Sequence, residues 1–294
     1  MFDLILMAMA SGLLMGILYG LIGIGMNIIY GVMRVVNFAH GEFMMLGAYI
    51  AFSLHRILNL NPIESIAVVL PLFFVIGLLL FHLLNPRLQR SDDPEMASFL
   101  TFFGISLIIT SLILLIWKAD PRSIPLPFDR ASLLLGPVFM PTGRLVSGGI
   151  CMLAVLLISL FLYRTYTGKA IRAIIENREA VSILGINVQK LSAIVFGMGL
   201  AMVAITGCLI TLAFPSLTPV MGQSYTLIAF AVIVLGGLGT PLGALLGGLV
   251  YGLAESLSSV FLPVALSPVI AFLILILMVL VRPQGLLGKV STRV

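Results

Sequence analysis

From Leu4 to Met33 the chain carries no charged side chain. At about 1.5 Å per residue, a helix of that length more than spans a hydrocarbon core of ~30 Å. Inside a bilayer the backbone has no water to bond, so a segment of this kind must satisfy its own N–H and C=O groups as a helix. Asp3 stands where a cleavable leader has a positive region, and the apolar run is too long for one, so the segment reads as a span. The rest of the chain agrees. Only 9% of residues are charged and 61% are hydrophobic, against about 25% charged in soluble domains. That composition excludes a soluble globular protein, a disordered chain and a fibre. The expectation is an all-α, polytopic helical membrane protein, one transmembrane domain over 1–294.

Further apolar stretches cover 38–54, 63–84, 96–117, 145–163, 191–214, 225–239, 241–262 and 265–281, making nine candidates with the first. Two are ambiguous. The 38–54 stretch opens on Asn37-Phe38-Ala39-His40-Gly41-Glu42, too polar for a lipid-facing helix. The 225–262 stretch is interrupted at Gly236-Gly237-Leu238-Gly239-Thr240-Pro241, either a tight turn between spans or a break in a re-entrant pair. An odd count puts the termini on opposite sides. With the C-terminus inside, beside Arg282, Lys289 and Arg293, the cytoplasmic segments hold eleven of the 16 Lys and Arg. This favours N-out, C-in, although Lys118, Arg122, Arg130 and Arg144 fall outside. The outer loop 118–144 holds prolines 121, 125, 127, 137 and 141 and is expected to be stiff. The net charge of +5 sits in scattered short loops, a topology signal rather than a nucleic-acid footprint.

No catalytic pattern is present. Gly168-Lys169 and Gly288-Lys289 lack the remainder of a P-loop, and there is no G-x-S-x-G, H-E-x-x-H or C-x-x-C. Nothing calls for a metal or cofactor, and Cys151 and Cys208 read as buried small side chains. A transport role is favoured over an enzyme. Ionisable groups at membrane depth are costly and usually face a cavity or a partner. Here they are His40, Glu42 and Glu255. Asn37, Phe38, His40 and Glu42 are expected to line or gate the inner end of a substrate path, with Glu255 a weaker candidate further out. The competing readings are a helix-start cap for His40 and Glu42, and a buried acid bonded to a neighbouring helix for Glu255.

The segment 164–190 carries Ile171, Ile174 and Ile175 at i, i+3, i+4 among Lys169, Arg172, Glu176 and Arg178. This is an amphipathic helix. It is expected to dock on a cytoplasmic partner or to lie in the membrane interface. A second short helix, Glu179 to Leu184, ends at Gly185, a plausible left-handed C′ residue. Small residues every fourth position, Ala8, Gly12, Gly16, Gly20 and Ala244, Gly248, Gly252, Ser256, mark close helix contacts. Intramolecular packing is the plainer reading of each stripe, and a subunit interface the alternative.

Glu179-Ala180-Val181, followed by Gly185, resembles the E-A-A-x-x-x-G coupling loop of ABC-importer permeases, although Val195-Phe196-Gly197 stand in place of its later I-x-L-P part. Two stretches are more specific. Met26-Asn27 through Tyr30-Gly31, Arg34 and Asn37-Phe38-Ala39-His40-Gly41-Glu42 resembles the signature of the LivH-like branched-chain amino-acid permeases. Leu235 to Gly247, with Gly236, Gly237, Gly239, Pro241 and Gly243, resembles the same class. The likeness covers nearly the whole chain. It implies a permease subunit of an ATP-driven importer in a bacterial inner membrane. Its implied partners are a second related permease, two cytoplasmic ATP-binding subunits and an extracytoplasmic substrate-binding protein, besides membrane lipid. It implies ATPase coupling through Arg172, Glu179, Ala180 and Gly185. The class includes urea and amide importers, which stay open as alternatives, as do a secondary transporter acting alone and a non-transporting assembly factor.

Overall fold

The structure, a computed structural model, describes residues 1–125, 132–135, 138–263 and 266–288. Arg130, Lys289, Arg293 and the prolines at 127 and 137 lie outside these residues. The described helices are α1 (Phe2–Met33), α2 (His40–Leu58), α3 (Pro62–Leu88), α4 (Pro94–Trp117), α5 (Thr142–Arg164), α6 (Tyr166–Glu176), α7 (Arg178–Ile183), α8 (Val188–Ala213), α9 (Met221–Gly236), α10 (Pro241–Phe261) and α11 (Ser267–Val281). A two-stranded antiparallel hairpin, β1 (Ser132–Leu135) and β2 (Val138–Pro141), precedes α5. The chain is a multi-pass membrane protein. α3, α4, α5 and α11 turn leucines such as Leu79, Leu115, Leu157 and Leu280 outward, which suits a lipid surrounding.

Every one of the nine apolar stretches is helical, but they are not nine full spans. Among the described residues six helices, α1, α3, α4, α5, α8 and α10, are long and apolar enough to cross a membrane. α9 has 16 residues and α11 has 15, which at about 1.5 Å each falls short of ~30 Å. The connection between α1 and α2 shows why α2 differs. His40 Nε2–H donates to Ile22 O at 3.1 Å, well back along α1 from its end at Met33. Residues 34–39 therefore turn back into the layer, and α2 starts inside it. α2 then runs to the far side, where Trp117 Nε1–H donates to Ser53 Oγ at 2.9 Å. α9 starts against α2, with Gly41 N–H donating to Thr226 Oγ1 at 2.8 Å, and runs the opposite way. It ends beside Asn27, whose amide nitrogen donates to Gly237 O at 3.1 Å. The interruption at Gly236–Pro241 is a tight turn joining α9 to α10, with Gly237 at φ 108° and Gly239 at φ 77°. Residues with a side chain rarely adopt such angles.

The order long helix, half-helix, long helix, outer helix thus occurs twice, in α1–α4 and α8–α11. α1 lies along α10 as α3 lies along α8, α9 leans on α1 as α2 leans on α8, and the half-helices meet. The copies are inverted. α6 and α7 lie at the end of α1, where Arg178 Nη1–H donates to Val32 O at 3.2 Å, so α8 sets out from the side on which α1 finishes. Residues 282–288 fold back onto α9 on that same side, with Leu286 N–H donating to Leu235 O and Leu287 N–H to Gly236 O. The N-terminus of α1 is at the other end. The first N–H groups of a helix have no partner within it, and side-chain caps supply one on the α6 side. Asp93 accepts from Glu95 and Met96, Thr165 from Gly168, Asn177 from Ala180 and Asn187 from Lys190.

α8 forms the buried centre, with Phe196, Leu200, Val203 and Leu209 enclosed. The small-residue stripes pack within the chain. A Cβ on Gly252 would lie 2.6 Å from the Gly16 Cα, and one on Gly248 would strike the backbone of Gly16 and Gly20. Replacing Gly248 by Leu should push α1 from α10. The expected outcome is loss of folded monomer, or a drop of roughly 1–3 kcal/mol in stability, measured as reduced melting temperature in detergent. Gly104→Leu, where nothing lies within 4 Å, should leave the melting temperature unchanged.

Candidate substrate cleft and elbow

The starts of α2 and α9 and the middle of α4 enclose a cleft of about 300 Å³. Phe38, Phe99, Phe103, Leu107, Val220 and Leu227 form its apolar wall. Glu42, Ser106, Thr110, Gln223 and Thr226 supply the polar groups. The sequence builds this corner from small residues. Gly41 and Gly222 allow the first turns of α2 and α9 to touch, since a Cβ on Gly41 would strike the Gly222 carbonyl. Thr226 ties the turns together, accepting from Gly41 N–H at 2.8 Å and donating to Glu42 Oε2 at 3.1 Å. The Glu42 side chain is buried and sits in the first turn of its helix, where the positive end of the peptide dipoles favours a carboxylate. Phe38 meets Phe99 edge to face at 4.5 Å between centroids.

The expected path group is therefore divided. Phe38 and Glu42 line the cleft. Asn37 and His40 do not: Asn37 Oδ1 accepts from Ala39 N–H at 3.0 Å, which shapes the turn into α2, and His40 fills the gap beside Gly25 of α1. Both side chains are fully buried. Glu255 lies apart from the cleft, on α10, accepting from Tyr19 O–H at 2.8 Å. The Tyr19 ring in turn packs on Tyr225 and Tyr251. Glu255 is thus half-buried and bonded to a neighbouring helix. Polarity in an apolar run marks a residue that needs a partner; it does not say whether the partner is a cavity or a neighbouring helix. Thr226 and Gln223 do not stand out in the sequence, because a threonine inside an apolar stretch carries no distinct pattern. Asn27 enters the sequence reading only as part of a motif. Its amide also donates to Thr240 O at 3.0 Å, and its Oδ1 accepts from Gly239 N–H. Cys151 and Cys208 are buried and free, and among the described residues no cluster of His, Cys, Asp or Glu could hold a metal.

On the α6 side, α5, α6 and α7 form an elbow. The amphipathic face of α6 docks on its own chain instead of on a partner: Ile171 and Ile174 are buried, and Ile175 packs between Gly31 of α1 and Gly239 of the α9–α10 turn. A 3.6-residue period reveals that a face is covered, not by what. Arg172 is held internally, with Nε–H donating to Leu162 O at 3.1 Å and the guanidinium 4.3 Å from the Tyr163 ring centroid. It fixes the angle of α6 on α5. Glu179, Ala180 and Gly185 are exposed. Gly185 follows the end of α7 at φ 77°, the left-handed conformation expected of it. Beside it Ile183 is 85% and Leu184 76% exposed, an apolar pair projecting from the elbow.

Thr226→Val should leave the Gly41 N–H and the Glu42 carboxylate without their shared partner inside the layer. The expected loss is about 1–3 kcal/mol, seen as a lower melting temperature of the purified protein. Thr226→Ser, which keeps the hydroxyl, should restore most of it. Equal melting temperatures for all three proteins would show that this bridge contributes nothing.

Comparison with known proteins bears on these features as a set. The family model described as "Branched-chain amino acid transport system / permease component" matches residues 8–280. The permease protein LivH of the high-affinity branched-chain amino acid transport system of Escherichia coli is 30% identical, over 97% of this chain and 96% of its own. BraD, a permease protein of the same kind from Pseudomonas aeruginosa, is 29% identical over 97% of this chain and 96% of its own. A shorter likeness, 33% over 29% of this chain and 27% of the relative, joins it to the ribose import permease RbsC of Bacillus subtilis. No solved structure matches. The match runs from within α1 to the end of α11, through the cleft and the elbow alike, and the chain belongs to the permease component family of branched-chain amino acid transport systems.

Proposed function

We propose that the chain is the membrane-spanning permease subunit of an ATP-driven importer for branched-chain amino acids, working over its whole length as one domain in a bacterial inner membrane. The observation that carries this reading is the likeness to LivH and BraD over 97% of the chain. The cleft suits the substrate class. Its ~300 Å³ is at the small end of ligand pockets and holds one amino acid. The Glu42 carboxylate faces the substrate ammonium, while the phenylalanines and leucines take the branched side chain. Urea and simple amides have no use for that apolar wall. A lone secondary transporter needs a relay of ionisable groups, whereas here Glu42 and Glu255 bond to separate partners, Thr226 and Tyr19.

The energy comes from partners: two cytoplasmic ATP-binding subunits, with a second related permease completing the path and an extracytoplasmic binding protein delivering substrate. The docking surface for the ATPase is α7 with its exit, namely Glu179, Ala180, Ile183, Leu184 and Gly185. Arg172 keeps a positioning role. The motion is transmitted mechanically. Ile175 of α6 presses on Gly239, Gly239 belongs to the turn that ends α9, and the first two turns of α9 carry Gln223 and Thr226 into the cleft. Closure of the ATPase dimer tilts α6, and α9 carries the tilt to the α2–α9 contact, opening one side of the cleft in alternation with the other.

The test is reconstitution with the ATPases, the second permease and the binding protein of the same transport system. Glu42→Gln, which cannot pair with an ammonium, should lower uptake by roughly tenfold, about 1.4 kcal/mol, with assembly intact. Gly185→Val, strained at positive φ though the space around it is open, should reduce ATPase capture and uptake together. Full uptake by both variants would refute the path and the coupling assignments.

The proposed orientation is N-out, C-in. A single cysteine at Lys169, on the exposed side of α6, should react with a membrane-impermeant thiol reagent only from the cytoplasm. One at Asp120, whose side chain is 74% exposed, should react only from outside. The reverse labelling would invert the orientation.

A further inference from the structure

A second cleft, of about 440 Å³, opens between α1, α5 and α10 at the end of the molecule away from the elbow. At its base lies Arg144, near the start of α5. Its Nη1–H donates to Ser11 Oγ at 3.1 Å and its Nε–H to Ala213 O at 3.3 Å. A guanidinium carries five N–H donors, and the described residues take two of them. No carboxylate answers the charge: among the described residues the one ion pair within 4 Å is Arg122 with Asp120, and no acidic residue lines the cleft. Three hydroxyls, from Ser11, Ser256 and Ser259, share the cleft with Arg144. The Ser259 hydroxyl donates to Ser256 O, which leaves it an acceptor for a hydroxyl donor but not for an anion.

Depth and surroundings identify what chemistry fits. The rise of about 1.5 Å per residue between Ser11 and Met33 amounts to roughly 33 Å, against a hydrocarbon core of ~30 Å. Arg144 is therefore one core thickness from the elbow side, at the level of lipid headgroups. The remaining wall is apolar, with Leu4, Met7, Leu14 and Val260 from the helices, and β2 covers the cleft with Phe139, Met140 and Pro141. A ligand that is anionic at one end and apolar at the other suits such a lining.

We propose that Arg144, with the hydroxyls of Ser11 and Ser256, binds the phosphate of an anionic phospholipid, whose glycerol and first acyl carbons lie along α1 and α10, while Ser259 accepts from a hydroxyl of the headgroup. An anionic headgroup is preferred to a zwitterionic one, because among the described residues that line the cleft there is no carboxylate for an ammonium. The lipid would pin α1 to α10 and α5 on the side opposite the ATPases.

The test is native mass spectrometry of the full chain, purified in detergent and titrated with phosphatidylglycerol or with phosphatidylethanolamine. The unmutated protein should retain phosphatidylglycerol in preference, and inorganic phosphate in large excess should not displace it. Arg144→Gln should lower that retention by roughly tenfold. Because Arg144 also holds Ala213 and Ser11, a second variant is needed: Ser259→Leu leaves Arg144 in place and fills the cleft, and it should lower retention equally. Arg164→Gln, at the opposite end of α5, should change nothing. Unchanged retention in Arg144→Gln and Ser259→Leu would overturn the proposal. Displacement by inorganic phosphate would overturn the lipid in favour of a free anion. Neither result bears on uptake, so the permease reading stands or falls separately.

Discussion

Asn27 makes three hydrogen bonds across the molecule, and the architecture on the elbow side depends on them. Its amide donates to Gly237 O and Thr240 O, and its oxygen accepts from Gly239 N–H. The α9–α10 turn is irregular backbone, and irregular backbone at membrane depth survives only where protein satisfies its polar groups. One carboxamide from α1 does so, and the tail does the rest through Leu286 and Leu287. With the turn held, Gly239 can lie against Gly31 and Ile175. The elbow then rests on the same point that ends α9.

The inverted repeat gives this arrangement its use. α1 and α8 are each followed by a half-helix that starts inside the layer, and the two half-helices meet start to start at Gly41, Glu42, Gly222 and Thr226. The first helix of each copy also packs along the third helix of the other, through glycines where α1 meets α10 and through Gly77 and Gly197 where α3 meets α8. The outer helices turn leucines outward, and the cleft lies where α2, α9 and α4 come together. One shortened helix, α9, thus reaches from the turn beside the elbow to the cleft, which is the connection the proposed coupling uses.

Much of this is legible in the sequence, for separable reasons. Desolvation of the backbone makes long apolar runs helical without regard to context, so all nine stretches, the interruption at Gly236–Pro241 and the C′ position of Gly185 can be read directly. The number of full spans cannot. Whether residues 34–39 leave the membrane or turn back depends on His40 reaching Ile22, a contact between distant parts of the chain. The period of α6 shows a covered face, yet the cover is the chain itself and not a partner, since period carries no address. In the cleft, Phe38 and Glu42 stand out by type. Thr226 and Gln223 do not, because their role comes only from facing Glu42 across the repeat.

The hydroxyl of Thr226 is shared between the first turns of both half-helices, and this sets how tightly the permease is shut when idle. Two hydrogen bonds, each with a net value of about 0.5–1.5 kcal/mol, favour the joined arrangement by only about 5-fold to 160-fold. States separated by a few kcal/mol interconvert thermally and leave a minor population. The α2–α9 contact is therefore a latch rather than a seal. A solitary permease chain would let its cleft breathe, and tight closure of the membrane falls to whatever subunit covers the exposed Phe103, Leu107 and Leu227 at its mouth.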